Sequence, residues 1–372
     1  MKNIIFRSDS SKKIGSGHHI RCLNLARSLK NNNYNIIFIC QELEDNFNEK
    51  IQREFPLLTF KTDNSNELDK NYLENPNSSE IKNKQFNDYL RTVDLLKKNN
   101  LFTIDMIIID NYSLDEFYSN LIIKDFKNKE SCFSKVPKIL IIDDLLNRKL
   151  NGDILINQTI LDNAGFESNP FVKSFDKCFL GPKYVLLDLK YKELHLKSKF
   201  RLKIKTILIY FGGSDLFGYT FKLLNIIKRQ KFNKSININV VISQKSKFFH
   251  ETKLLGSDMV NTKILYDLPS LSEVINNSDF FIGSGGMITW ERITLKLAGI
   301  VIPTAENQIK VSKYLESICL IKLFNSIEDI KLNISLFEYY LNLFNNNLKK
   351  YKIDCDGKGI DRVIKIIKEN LD

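Results

Sequence analysis

Phe6-Arg7-Ser8-Asp9-Ser10, followed by Gly15-Ser16-Gly17-His18-His19-Ile20-Arg21-Cys22, is the stretch from which the rest of the chain can be read. Ile4-Ile5-Phe6 is a short apolar run typical of a buried strand. Gly15 and Gly17 mark a tight loop, and Cys22, Leu25, Ala26 and Leu29 recur with helical spacing over residues 20–30. A strand that turns through glycines into a helix is where open α/β sheets place ligand chemistry. Two of the four histidines sit at that turn, and imidazole is the side chain that exchanges a proton near neutral pH. Neighbours at a helix start point about 100° apart. Only one of His18 and His19 can therefore face a ligand, and periodicity does not choose between them.

Working outward, the strand–helix design repeats. Ile36-Ile37-Phe38-Ile39, Met106-Ile107-Ile108-Ile109-Asp110, Lys138 to Asp143-Asp144, and Asp153-Ile154-Leu155-Ile156-Asn157 are apolar runs that end in polar residues. The polar stretch from Asn64 to Ser79 reads as a loop, with a helix over Ile81–Lys98 after it. A second series starts at Lys205–Phe211, turns at Gly212-Gly213-Ser214-Asp215, and continues through a helix over Tyr219–Lys228 and a strand over Ile236–Ile242. Asp279–Ile282 leads into Gly283-Ser284-Gly285-Gly286 and a helix over Met287–Leu297. Gly299–Pro303 follows, then Asn307-Gln308, and helices close the chain over Leu332–Leu371. Continuous apolar runs separated by helices predict parallel sheets covered on both faces. Two domains are expected, 1–190 and 200–372, with the last helix crossing back. The lysine-rich stretch Leu186–Leu202 reads as the linker.

Composition narrows the function. At 372 residues, 43% hydrophobic and 27% charged, the chain is globular and exceeds one ordinary core. No apolar run approaches the ~18 residues of a membrane span, and the first strand begins too early for a signal peptide. Six scattered cysteines without a CxxC pair predict reduced thiols, a cytoplasmic setting and no metal site. The net charge of +11 lacks a basic stripe with interleaved aromatics, which argues against nucleic acid. A monomer is the default expectation. Position 20 is isoleucine where the dinucleotide fingerprint needs glycine, and no Walker lysine follows, so no nucleotide cofactor is expected.

The glycine turns Gly212–Asp215 and Ser284–Gly286 both precede helices, whose free N–H groups and positive dipole ends suit a diphosphate. Glu291 lies one helical turn beyond the second glycine turn, where its carboxylate would accept from a ribose diol. Asp143-Asp144 at a strand end reads as hydrogen bonding or capping, because a metal site needs further oxygen ligands. Tyr112 follows Asp110 at another strand end.

Taken together, these blocks resemble a known family. Arg7-Ser8-Asp9 with Gly15-x-Gly17-His18-x-x-Arg21-Cys22 is similar to the opening of the UDP-2,4-diacetamido-2,4,6-trideoxy-β-L-altropyranose hydrolases of pseudaminic acid biosynthesis. The similarity continues in order through Ile109–Tyr112, Asp143-Asp144, Leu180–Tyr184, Gly212–Asp215, Gly285-Gly286 with Trp290-Glu291, Asn307-Gln308 and Asp356–Gly359. It implies an α/β, GT-B-like fold of two doubly wound Rossmann-like domains facing across a cleft. It also implies a UDP-sugar substrate and inverting, metal-independent hydrolysis at the anomeric carbon. By this resemblance His18 is the catalytic base, Tyr112 and Asn307 lie near the sugar, Gly213, Ser214 and Asp215 form the nucleotide-side loop, and Glu291 holds the ribose. The same blocks imply Asp9, Gly17, Arg21, Asn157, Gly285 and Gln308 as further substrate-binding positions. Asp188 stands where many relatives carry arginine, and the polar segment 64–104 is longer than in compact relatives. Two other readings share these residues: a GT-B glycosyltransferase with an acceptor hydroxyl in place of water, and a non-catalytic nucleotide-sugar-binding protein.

Overall fold

The computed structural model describes residues 1–11, 14–61, 78–159, 169, 171, 175–230, 232 and 235–371. The chain divides into two compact units, Met1–Leu186 with Lys358–Asp372, and Leu187–Gly357.

The first unit is built on strands β1 (Lys2–Ser8), β2 (Tyr34–Gln41), β3 (Leu57–Phe60), β4 (Met106–Asp110), β5 (Lys138–Ile142), β6 (Ile154–Asn157) and β7 (Lys177–Leu180). They form one sheet in the order β3-β2-β1-β4-β5-β6-β7, with every neighbouring pair parallel. Helices α1 (Gly17–Asn31), α2 (Asn48–Gln52), α3 (Ser79–Lys98) and α4 (Glu116–Lys127) connect the strands, and a 3₁₀ turn spans Pro182–Tyr184.

Side chains alternate across a strand, so each apolar run feeds two cores. Ile4, Phe6, Phe38, Met106 and Ile108 pack with Leu25, Ala26 and Leu29 of α1 on one face. Ile5, Ile37, Ile107 and Ile109 pack with Val93 and Leu96 of α3 and Tyr118 and Ile122 of α4 on the other. Each such isoleucine contributes roughly 1.5–3 kcal/mol on burial.

In the second unit, β8 (Thr206–Tyr210), β9 (Asn237–Val241), β10 (Thr262–Leu265), β11 (Phe280–Gly283), β12 (Gly299–Val301) and β13 (Lys322–Leu323) run in the order β10-β9-β8-β11-β12-β13, again all parallel. Its helices are α5 (Leu189–Lys197), α6 (Tyr219–Arg229), α7 (Phe249–Ser257), α8 (Ser272–Asn276), α9 (Met287–Thr294), α10 (Glu306–Ser317) and α11 (Ile334–Tyr351).

The final helix α12 (Gly359–Leu371) belongs to the first unit. Its Ile360, Val363, Ile364, Ile366 and Ile367 complete the core face made by α1. Gly359 permits this return, because a Cβ there would lie 2.1 Å from the Val185 carbonyl oxygen.

Strand order reverses at β1/β4 in one sheet and at β8/β11 in the other. Crevices at the carboxyl ends of such strands are the ligand positions of open α/β sheets. The opening motif leaves β1 at that edge, and the Gly212–Asp215 and Ser284–Gly286 turns leave β8 and β11 there.

Two expectations need adjustment, and a third lies largely outside the described residues. The stretch read as a linker contains α5, whose Tyr191 is buried; lysines on its solvated face hid the helix. The helix expected to reach Leu297 ends at Thr294, with Lys296 in the left-handed region at φ 59°. The loop expected over 64–79 lies largely outside the described residues, whereas the helix after it is α3.

Candidate active site

His18 and His19 diverge, as the helix start requires. His19 is fully buried. Its Nε2 lies 2.9 Å from Asn48 Oδ1 and its Nδ1 3.4 Å from Ser8 Oγ. Burial pushes His19 below the usual imidazole range, so it is a neutral packing residue with both ring nitrogens engaged. His18 retains 8% exposure, and its Nδ1 lies 2.5 Å from Asp110 Oδ1. An ionised carboxylate only accepts, so Nδ1 carries a proton toward Asp110, and in the neutral ring Nε2 is the atom with the free lone pair. Tyr112 packs edge-on to the His18 ring at 4.5 Å between centroids.

Asp110 is the residue that sequence reading passed over. It was legible only as the acid ending a strand. The register Ser8↔Asp110 puts it level with the end of β1, and that pairing is what brings it to the base. Its carboxylate is fully buried and takes hydrogen bonds from Arg21 Nε and Nη2, both at 2.6 Å, and from Cys22 Sγ at 3.3 Å. Burial acts to raise the Asp110 carboxyl, but Arg21 and His18 outweigh it and hold it well below the usual range. Arg21 also pairs through Nη1 with Asp144, which accepts from Tyr112 Oη at 3.2 Å. Burial, with Asp144 adjacent, pushes the Tyr112 phenol upward, so it stays a donor. The structure thus brings together His18, Arg21 and Tyr112 of the expected set, and adds Asp110 and Asp144.

Asp9 and Asn157 are placed differently. Asp9 accepts from Arg7 at 2.6 and 2.7 Å, from the Gln41 amide at 2.7 Å and from Asn111 Nδ2 at 2.7 Å. Those four bonds occupy both oxygens, so it braces the loop instead of offering itself to a substrate. Arg7 also binds Asp88 of α3, whose neighbour Gln85 accepts from the Asp115 amide. This gives the described part of segment 64–104 an anchoring role. Asn157 is buried, donating to the Asp143 carbonyl at 2.8 Å and accepting from the Thr159 amide at 2.9 Å. Asp143 accepts from the amides of Leu145 and Leu146 in the loop after β5, the hydrogen-bonding option of the two expected for it. Gly17 is the first residue of α1, whose cap Ser16 makes no side-chain cap hydrogen bond.

In the second unit the two glycine turns are adjacent: a Cβ on Gly212 would lie 3.9 Å from Ser284 Oγ. Gly212 (φ 91°) and Gly286 (φ 87°) adopt backbone that other residues rarely take. Gly213 and Ser214 are half-buried. Asp215 is buried and accepts from the amides of Tyr219 and Thr220 at 2.9 and 3.0 Å. It therefore caps α6 with its own carboxylate, which corrects the expectation that this helix end is open to an anion. The other turn differs. Gly286 caps α9 without a side-chain bond, and Gly285 N donates to Gln308 Oε1 at 3.2 Å. The same oxygen takes the Thr304 amide at 2.9 Å, so Gln308 ties the α9 and α10 loops together. Asn307 is exposed in the first turn of α10.

Glu291 lies beside Tyr191, Tyr210 and Asp188. Burial pushes its carboxyl up to about 7, with Tyr191 opposing and Asp188 adding to the rise. A carboxyl raised on folding lends stability that is full below its unfolded value, ~4.3, and that is lost as the pH climbs through about 7. The second unit is therefore expected to melt at a lower temperature at pH 8 than at pH 5, and Glu291→Gln should flatten that slope. Scanning calorimetry of both proteins checks it. Among the described residues, no group of three or more His, Cys, Asp or Glu is placed to hold a metal ion, and no helix is long and apolar enough to cross a membrane.

Comparison with known proteins agrees with this architecture. No family model matches the chain. The uncharacterized protein MJ1062 of Methanocaldococcus jannaschii is 27% identical over 314 residues, covering 81% of this chain and 55% of that protein. The chain thus spans about half the length of the curated relative it matches. Among solved structures, CalG4, the calicheamicin glycosyltransferase, superposes with a TM-score of 0.66 at 10% identity, covering 100% of this chain and 98% of the other. MurG of Acinetobacter baumannii gives 0.58 at 11%, covering 99% and 100%. UGT71G1 of Medicago truncatula, solved in complex with UDP-glucose, gives 0.58 at 12%, covering 100% and 98%. The chain has the GT-B glycosyltransferase fold.

Proposed function

We propose that this chain transfers a glycosyl group from a UDP-sugar to an oxygen nucleophile. The observation that carries the reading is His18, held through Nδ1 by buried Asp110 at the switch point of the first sheet. Its Nε2 is then the proton acceptor. The nucleophile's proton passes to Nε2 as its oxygen attacks the anomeric carbon. The C1–O bond breaks and its electron pair leaves on the β-phosphate oxygen, with inversion at C1. UDP is a good leaving group that needs charge stabilisation more than a proton. The α9 N-terminus, free of a side-chain cap, suits that role, and Glu291 suits the ribose diol.

An acceptor hydroxyl is the reading favoured by the fold, since the solved structures that share it are named as glycosyltransferases. Water is favoured by one separate observation, the ordered motif blocks from Arg7-Ser8-Asp9 to Asp356–Gly359 and their resemblance to UDP-diacetamido-sugar hydrolases.

One panel of UDP-2,4-diacetamido-2,4,6-trideoxyhexoses and UDP-N-acetylhexosamines separates these readings, with UDP and free sugar followed by NMR. Stoichiometric UDP and free sugar without acceptor, with ¹⁸O from water at C1, supports hydrolysis. UDP release that needs an added hydroxyl acceptor supports transfer. UDP binding with no release under either condition overturns both in favour of a binding protein. Ribose donors would favour ionised Glu291, so UDP binding is expected to release close to one proton near pH 6. Calorimetry in buffers of different ionisation enthalpy reads this directly.

A further inference from the structure

Arg21 was expected to bind substrate, but its guanidinium is wholly spent inside the protein. It is 3% exposed. Nε and Nη2 hold the two oxygens of Asp110, and Nη1 holds Asp144. Nη2 also lies 3.3 Å from His18 Nδ1, so the cation sits against the same ring nitrogen that faces Asp110. We propose that Arg21 is a positioning residue that sets the proton balance of His18, by neutralising Asp110 and dividing its charge between Asp110 and Asp144. The inference rests on His18 as the base of the proposed reaction.

The physical argument follows from the charges around the ring. A buried carboxylate in contact with an imidazole favours the protonated ring, which cannot act as a base. Asp110 faces His18 from β4, and Asp144 approaches from the β5 end through Arg21 and Tyr112. On α1 itself the neighbours are Arg21, Cys22 and His19. Within this set Arg21 is the cation that contacts both carboxylates. With it in place, Asp110 fixes the tautomer and orientation of His18 while its own charge is met by the guanidinium.

The test reads the proton itself and does not depend on turnover. Long-range ¹H–¹⁵N spectra of the imidazole nitrogens are recorded across pH for the full chain, with His18→Asn used to assign the resonance. In Arg21→Gln the titration midpoint of the ring is expected to move up by about one pH unit or more, a ~10-fold change in proton binding. In Arg21→Lys, which keeps the charge, it should stay within about 0.3 unit of wild type, well inside one such step. Asp144→Asn keeps an acceptor for both Arg21 and Tyr112 and so preserves the fold if Arg21→Gln does not. It shifts the cation's charge toward Asp110, and the midpoint should move down. A midpoint unmoved or lowered in Arg21→Gln, or unmoved or raised in Asp144→Asn, overturns the proposal. If the reaction assignment alone is wrong, these shifts persist while no UDP is released from any sugar in the panel.

Discussion

Alanine at position 18 is expected to lower kcat by about 10²–10⁴-fold, the usual worth of a positioned general base, while the affinity for UDP stays within about twofold, far below that tenfold scale. The variant should also fold. Arg21 keeps both oxygens of Asp110 hydrogen-bonded when the imidazole is gone, so no bare carboxylate is left behind. The residual rate belongs to leaving-group stabilisation and positioning, which the second unit supplies in this reading. Steady-state kinetics of UDP release and calorimetry with UDP measure the two quantities independently. Wild-type turnover in His18→Ala would remove His18 from the mechanism. Equal loss of turnover and UDP binding would point to a folding defect instead. His19 is not an alternative, since Asn48 and Ser8 occupy its two nitrogens inside the core.

The largest effect on stability is expected from Arg7→Met. Arg7 is 1% exposed and forms ion pairs with Asp9 and Asp88. Burial opposes its charge, but the two carboxylates outweigh it and hold the guanidinium firmly protonated. Removing one partner of a buried ion pair costs about 3–5 kcal/mol, because the other charges stay buried without compensation. Asp9 would retain the Gln41 amide and Asn111. Asp88 would lose more, since burial already raises its carboxyl despite Arg7.

Two further expectations make the argument specific. Arg7→Met with Asp88→Leu should cost less than Arg7→Met alone. The penalty of Arg7→Met should also shrink as the pH is lowered: Asp9 is held low by Arg7 in the wild type, so its stabilising contribution is lost as pH falls. Urea unfolding of the three proteins at pH 7 and pH 4 decides both. Because Asp9 also holds Asn111, which sits between Asp110 and Tyr112, the damage should reach turnover as well.

What could be read from the chain depended on whether the signal was local. Apolar runs such as Ile107-Ile108-Ile109 and Ile139 to Ile142 announced central parallel strands, since both faces of such strands are buried. The two-residue β13 and the edge strand β10, half exposed, carry no such run. The opening motif announced a loop with a histidine because glycine and imidazole are informative in themselves. Asp110 and Asp88 were silent, because their meaning lies in pairings 92 and 81 residues away. Asp215 illustrates the opposite failure. Its place after two glycines suggested a ligand loop, yet its carboxylate reaches the first amides of α6 and occupies them. A sequence shows that an acid stands near a helix start; only the backbone path shows which amides it reaches.

The return of α12 to the first unit also bears on the order in which the protein forms. The core face that carries α1, and with it His18, is missing Ile360, Val363 and Ile367 until residues beyond 358 have left the ribosome. The second unit, contiguous from Leu187 to Gly357, has by then been fully synthesised. Domains tend to fold as units during synthesis, so the second unit is ready first and the unit with His18 closes last. Emergence of α12, after the whole second unit has been made, becomes the event that completes the surroundings of His18.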